Sequence, residues 1–424
     1  MIISPVDSDL RNQICDFRKM ESDLGVYTVK DLKESLRLAE TLAKMSVSVR
    51  RKADMNNNNN DDNNGVYVPP KHLLLYLVRM GSFQSTPRYI NADAQDDSLI
   101  LDPKTTFENL KLMYRKELEG RPPLIERKFV SVCNSSGTKD KNSFRILQWN
   151  ILAQALGEYT DRFVLCPPEA MEWNFRRFRI LEGILEYDPD IVVMQEVDHF
   201  NFFAKTMSTQ GYDGYFFPKP DSPCVYVKGN NGPDGCAIFY RKSKFELIKT
   251  ATRTVEVWHV QSNQVLILQV LRHIATGREI CVATTHLKAK QGALLSNLRN
   301  EQGKDILAFL TDEFSNRPII IAGDFNAEPC EPVYTTMRTH PRMQLDSAYA
   351  KLTNNNSEPD YTTWKVREEG EIRHTIDYIF YSTSNLDVEM VLEIPDEEKI
   401  GQDRLPSMSY PSDHLSLAAD FKFL

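Results

Sequence analysis

Apolar and polar positions alternate differently on the two sides of residue 125 or so. Beyond it, short aliphatic runs are interleaved with longer amphipathic ones. Ile319-Ile320-Ile321-Ala322, bounded by turn residues, predicts a buried strand over 319–325. Because side chains alternate along a strand, Asp324 and Asn326 are expected to point the same way where it emerges. Further strands are predicted over 144–150, 190–195 (ending in Glu196), 235–240, 264–273, 278–287, 375–381, 388–394 and 415–423. A tight turn at Ala275-Thr276-Gly277 joins the fourth and fifth of these. Helices are predicted over 169–187, with Phe178, Ile180, Leu181, Ile184 and Leu185 inward, and over 294–314. On the first of these helices Arg176, Arg177 and Arg179 read as a solvated face. Mixed hairpins between helices predict an α/β sandwich of two packed sheets with helices outside, not a parallel doubly wound sheet.

Residues 1–125 read as an extension to a main domain over 126–424. Leu32, Leu36, Leu38, Leu42 and Met45 space an amphipathic helix over 29–45, of a kind that docks on a protein partner. Asn56 to Asn60, continued by Asp61-Asp62-Asn63-Asn64, is a polar tract that buries nothing and reads as a disordered linker. Met80-Gly81-Ser82-Phe83-Gln84-Ser85 fits the N-myristoylation pattern, which matters only in a shorter form exposing Gly81. A helix is expected over 102–118, ended by Arg121-Pro122-Pro123, with Phe107, Leu110 and Leu112 available to dock.

Composition narrows the function classes. The 424 residues carry 51 Lys and Arg against 59 Asp and Glu, a formal charge of -8, which argues against a general nucleic-acid coat but leaves room for a local basic pocket. Seven cysteines without a C-x-x-C pair suggest neither a zinc site nor a disulfide framework, and favour a reducing compartment. No apolar run approaches the roughly 18 residues of a membrane span. Asp7, Asp9, Asp16, Glu21 and Asp23 leave no presequence visible at Met1, so a cytoplasmic chain is expected, with a mitochondrial form left open.

Several polar residues sit where an apolar strand ends or a loop begins: Asn150, Glu196, His286, Asp324, Asn326, Asp377, Asp413 and His414. Strand ends opening on one edge of a sandwich would gather them in one cleft. A carboxylate that takes a proton, beside amide and imidazole donors, suits attack on a phosphate ester.

With these residues in their order, Trp149-Asn150, Gln195-Glu196, Thr285-His286, Gly323-Asp324-Phe325-Asn326, Ile376-Asp377-Tyr378 and Ser412-Asp413-His414, the chain over 144–424 resembles the endonuclease/exonuclease/phosphatase superfamily. The resemblance implies a four-layer α/β sandwich and Mg²⁺-dependent cleavage of phosphate esters. It further implies Glu196, Asn150 and Asp413 as the metal set, Asp324 as base for water, and Asn150, Asn326, His286 and His414 as donors, with Asp377 holding His414. Gln148 to Gly157, Phe216-Phe217-Pro218-Lys219-Pro220, Asn230 to Cys236 and Tyr361 to Lys365 resemble one branch, related to poly(A) deadenylases. For that branch the implied activity is removal of the 2′-phosphate from NADP⁺ and NADPH, with links to circadian and metabolic control. Shortening of poly(A) RNA, or recruitment of mRNA-decay proteins through the N-terminal region, stands as the alternative. By the same resemblance Lys219, Asn263, Lys288, Lys290, Lys365 and Arg367 line the substrate pocket, although Lys365 also reads as a solvated surface lysine. Lys290 stands where Arg is found in relatives, and Asp221 where an aromatic is found.

Overall fold

Period-two alternation along the strands sets the layers. The computed structural model describes residues 101–424 apart from 133–140, 315–316 and 354. The expected helix over 29–45, the Asn tract and the Met80-Gly81 motif lie outside the described residues.

The first part of the chain forms α1 (Phe107–Glu117), β1 (Phe129–Ser131), β2 (Ser143–Asn150), α2 (Gln154–Tyr159), α3 (Pro168–Met171), α4 (Trp173–Glu186) and β3 (Ile191–Val197). Then come α5 (Phe200–Thr209), β4 (Tyr212–Pro218), β5 (Gly235–Arg241), β6 (Phe245–Val257), β7 (Val260–His273), β8 (Glu279–His286) and α6 (Ala293–Phe314). The remainder is β9 (Ile319–Asp324), α7 (Pro332–Arg338), β10 (Leu345–Ser347), β11 (Thr363–Arg367), β12 (Gly370–His374), β13 (Asp377–Ser382), β14 (Leu386–Leu392), α8 (Glu397–Ile400) and β15 (Leu417–Phe423). One sheet has the order β1-β14-β15-β2-β3-β5-β4 and a second β10-β13-β9-β8-β7-β6, while β11 and β12 form a separate hairpin. Each large sheet has a parallel pair near its centre, β2 with β3 and β8 with β9, and its other pairings are antiparallel.

Three apolar clusters separate the layers. Phe144, Ile146, Ile191, Val193 and Ile238 of the first sheet meet Val265, Ile267, Ile280, Val282, Ile320 and Ile379 of the second. The opposite face of the first sheet, with Leu147, Trp149, Val192 and Met194, packs on Phe178, Leu181 and Ile184 of α4. The outer face of the second sheet, with Cys281, Ala283, Ile319 and Ile321, packs on Ile306, Leu307 and Leu310 of α6. This is the expected four-layer sandwich. Each fully buried Ile or Leu contributes about 2 kcal/mol relative to exposure.

Three local expectations are corrected. Helix α1 begins at Phe107 because Thr106 caps it, its hydroxyl accepting from Asn109 N at 3.3 Å. The docked residues are Leu110, Tyr114 and Leu118, four apart, whereas Phe107 and Leu112 are exposed. The helix expected over 169–187 is two, broken at Glu172, whose backbone is extended. Arg176 and Arg179 are buried, not solvated. Nε of Arg176 donates to Pro411 O (2.8 Å), one terminal nitrogen to Ile151 O and Leu152 O (both 2.7 Å), and the other to Gln154 Oε1. Strand β6 was not legible in the sequence, because most of its length is a half-exposed sheet edge rich in Thr, Lys and Arg.

Candidate active site

The inter-sheet face that carries Ile146, Ile191, Val282, Ala322 and Ile379 continues two residues at a time into polar ones. Gln148 and Asn150 follow on β2, Gln195 on β3, Thr284 and His286 on β8, and Asp324 on β9, while Asp377 opens β13 opposite Asp324. The strands therefore stop burying hydrocarbon at one edge of the sandwich and line a cleft there. Gly323 permits this closeness, since a Cβ would stand 2.1 Å from Thr285 O on the neighbouring strand.

Glu196 has the wrong parity for that face. The β3–β5 register shifts between Met194 and Val197, and Glu196 takes a left-handed φ of 56°. This bulge re-aims the carboxylate into the cleft, and such a backbone in a non-glycine residue persists only where its surroundings enforce it. Asn150 Nδ2 then bridges two acids, 3.1 Å from Glu196 Oε1 and 2.9 Å from Asp324 Oδ2. Ala153 N donates to the other Glu196 oxygen at 3.1 Å, and Leu152 N to Asn150 Oδ1 at 3.0 Å.

Two histidines flank Asp324. Nε2 of His286 lies 3.5 Å and Nε2 of His414 3.8 Å from its Oδ2. His414 Nδ1 lies 2.9 Å from Asp377 Oδ2, which also accepts from Thr362 Oγ1 at 2.7 Å. Gln148 Nε2 donates to Asp377 Oδ1 (3.2 Å) and to Gln195 Oε1 (2.7 Å), and Gln195 Nε2 to Thr284 Oγ1 (2.9 Å). Trp149 Nε1 donates to His414 O (2.7 Å), and Ser412 Oγ to Asn150 O (2.7 Å). These bonds fix the His414 loop to β2.

Burial pushes Asp324 up to about 6, opposed by His414 and aided by Asp377. Burial also pushes Glu196 up to about 7, opposed by Lys219, with Asp413, Asp161 and Asp234 adding to it. For His414 burial acts downward, but Asp377, Asp413 and Asp324 raise it to about 9. For His286 burial is joined by Lys219 and His414, and the ring stays well below the ordinary value. One cleft thus holds a cationic and a neutral imidazole.

Several expected roles change. Asn326 is not on the strand with Asp324, because β9 ends at Asp324 and Asn326 is left-handed (φ 50°). Its backbone N donates to Asp324 Oδ1 (2.8 Å) and its Nδ2 to Leu287 O (3.1 Å). Asp413, expected on a metal, is bonded by Lys365 Nζ, with Arg367 NH2 at 3.6 Å. Burial opposes it, yet Lys365, His414 and Arg367 hold its carboxyl well below the usual range. Lys365 is therefore a buried ion pair and not a solvated lysine, and Arg367 also meets Asp161 at 2.6 Å. Asn263 accepts from Asp221 N at 2.7 Å and donates to Asp221 O, so its amide clamps that loop. Lys219 Nζ lies 2.6 Å from Asp234 Oδ2. Lys288 and Lys290 sit beyond His286, and Arg299 NH1 donates to both their carbonyls at 3.1 and 2.7 Å. Burial, then Lys290 and Lys219, bring Lys288 down to about 8.

Sequence reasoning missed Gln148, Gln195, Thr284 and Thr362 as the site's backing, Arg176 as the clamp, and Asp161 and Asp234 as counter-ions. Polar residues at core parity, such as Gln148 two before Asn150, were a readable signal. Loop acids gave none.

A metal fits the donor set in part. Among the described residues Asp324, Asp377 and His414 bring ligand-type atoms within 4.8 Å of one another, but His414 and Asp377 are hydrogen bonded to each other. Asn150 turns its amide nitrogen, not its oxygen, to the carboxylates. Glu196 is a half-buried carboxylate with an excess of negative neighbours, Asp413, Asp161 and Asp234 against Lys219, as a hard divalent cation requires.

A two-sheet sandwich with this acid, amide and imidazole cleft at one edge defines a phosphoesterase-type hydrolase. The chain belongs to the Endonuclease/Exonuclease/phosphatase family, which residues 147–414 match, and whose enzymes generally depend on divalent metals. Within it the chain is similar to Nocturnin of Drosophila melanogaster, 45% identical over 403 residues, 84% of this chain and 62% of that protein. Nocturnin of Homo sapiens is 46% identical over 341 residues, 80% of this chain and 77% of that one. The structure of the human Nocturnin catalytic domain with bound sulfate anion matches with a TM-score of 0.60 and 42% identity, covering 72% of this chain and all of that domain.

Proposed function

We propose that this chain is a Mg²⁺-dependent phosphomonoesterase that removes the 2′-phosphate of NADP⁺ and NADPH. The observation that carries this reading is the gathering of Lys288 with Lys290 and Lys219, the last beside His286, against their own repulsion, on a chain whose formal charge is -8. A dianionic phosphate relieves that repulsion, and a short cluster suits a compact dinucleotide phosphate better than a long strand, which needs an extended groove with stacking platforms. The sulfate on the human relative is a tetrahedral dianion of the same shape.

Glu196 would hold the cation, with water and substrate oxygens completing its shell; the bound ion would supply charge neutralisation at the phosphate. Asp324, near half-ionised at about 6, accepts a proton from water, and Asn326 N fixes the carboxylate's orientation through Oδ1. His414, kept cationic by Asp377, and His286 donate to phosphoryl oxygens.

The test offers NADPH, NADP⁺ and a short poly(A) RNA in parallel to the full chain with Mg²⁺, with Glu196→Ala as blank. Phosphate release from the dinucleotides, absent in the blank and unmatched by RNA shortening, is expected. Shortened RNA with intact NADPH overturns the reading in favour of a deadenylase.

A further inference from the structure

We propose that Lys219, held by Asp234, is a positioning residue that locks His286 as a neutral ring with its hydrogen on Nε2, so that the histidines beside Asp324 keep opposite charge states. Lys219 Nζ stands between Asp234 Oδ2 at 2.6 Å and His286 Nδ1 at 3.4 Å. An ammonium only donates. Nδ1 must therefore accept, and the ring hydrogen falls on Nε2, the atom 3.5 Å from Asp324 Oδ2.

The loop that carries Lys219 is built to hold it there. Lys219 N donates to Asp234 O at 2.9 Å, Ser222 Oγ accepts from Asp234 N (3.0 Å) and Cys224 N (3.1 Å), and the Ser222 hydroxyl is bonded to Asp234 Oδ1. Asp234 is fully buried and Lys219 nearly so. Burial acts against the ammonium, but Asp234 and then Glu196 hold it above the usual lysine range, so it stays a donor.

The groups facing His286 are Lys219, His414, Asp413, Lys365 and Asp324. At His414 the arrangement is reversed: the carboxylate of Asp377 accepts from Nδ1, and Asp324 and Asp413 oxygens stand 3.8 Å from Nε2, so both nitrogens carry hydrogen. A second imidazolium beside Asp324 would make that carboxylate too weak a base for water. Lys219 prevents it. The catalytic consequence rests on the phosphoesterase reading above, whereas the tautomer is read without any substrate.

The experiment is long-range proton–nitrogen NMR of the full chain with ¹⁵N-histidine, the His286 signals being those lost in His286→Gln. Nδ1 is expected to be bare and Nε2 protonated from about pH 5.5 to about 8.5, where a free imidazole would titrate. Lys219→Met should let the ring titrate or mix tautomers and lower kcat on the order of tenfold or more, in addition to any rise in KM from the lost charge beside the substrate. Lys219→Arg should restore the tautomer, and Asp234→Asn repeats the test should Lys219→Met not fold. An Nδ1–H or cationic His286 in the unaltered chain overturns the proposal, as does a Lys219→Met that keeps the tautomer or raises KM alone. Failure to hydrolyse NADP(H) would defeat the functional reading and leave the NMR result standing.

Discussion

Asp377 Oδ2 stands 2.9 Å from Nδ1 of His414, and both side chains are buried. Burial would strip the ring of its proton, and Asp377 is the largest of the charges that reverse this and lift it to about 9. Activity should therefore rise with pH through about 6, as Asp324 loses its proton, and fall through about 9, as His414 loses its own. In Asp377→Asn the alkaline limb should move to lower pH and the maximal rate drop on the order of a hundredfold. An unmoved alkaline limb in the pH–rate profile would assign it to another group.

Glu196 is shifted upward as well, but in a carboxyl this favours the neutral form. A carboxyl raised in the folded chain costs stability that grows as pH rises from its unfolded value of 4.5 through about 7. Glu196→Gln should thus melt a few degrees higher than the unaltered chain at pH 8 and be inactive. Chelation should lower the unaltered chain's Tm above pH 7 and leave the Gln variant's where it was. Equal sensitivity of both proteins to chelator would place the cation elsewhere.

Arg176 joins the loop after β2 to the loop before His414 through Pro411 O, Ile151 O and Leu152 O. Arg176→Met leaves these buried carbonyls without their donor and should cost on the order of 3 kcal/mol in denaturant unfolding. Arg176→Lys, with a single ammonium in place of the fork, should recover part of the stability and less of the activity. A neutral Arg176→Met would show the two loops to be fixed without it.

Lys365 and Arg367 are neutralised from within the chain by Asp413 and Asp161. An anion that uses Arg367 must displace Asp161. Asp161→Asn is expected to tighten inhibition by sulfate several-fold and to lower KM for a phosphate ester, most strongly at low salt. Unchanged sulfate inhibition would show that Arg367 takes no part in anion binding.

The long apolar strands were legible because alternation and aliphatic runs survive in any context, so β2, β3, β7, β8 and β9 fell within a few residues of their places. The cleft was legible for the same reason: Asn150, Glu196, His286, Asp324, Asp377 and His414 interrupt such patterns at their ends. What the sequence concealed was pairing across distance. Lys365 with Asp413 and Lys219 with Asp234 look like surface lysines until the loops close over them. Arg176 looked solvated because charge on a helix is ordinarily so, whereas its partners are carbonyls that β2 leaves as it exits the sheet together with Pro411 O and Gln154. The Glu196 bulge was concealed as well, since one extra residue in a strand leaves no mark on composition.

The parallel pairs β2–β3 and β8–β9 each need a return path along the length of the sheet, and α4 and α6 provide it on the two outer faces. Both crossovers leave from the edge where Asn150 and His286 end their strands, and their first residues border the cleft. Segments 219–234 and 361–374 stand outside the ladders of those pairs, and what they contribute to the cleft is single side chains such as Lys219, Asp234, Thr362 and Lys365. The architecture thus anchors the cleft on strand ends and leaves its charge balance to the segments that border them.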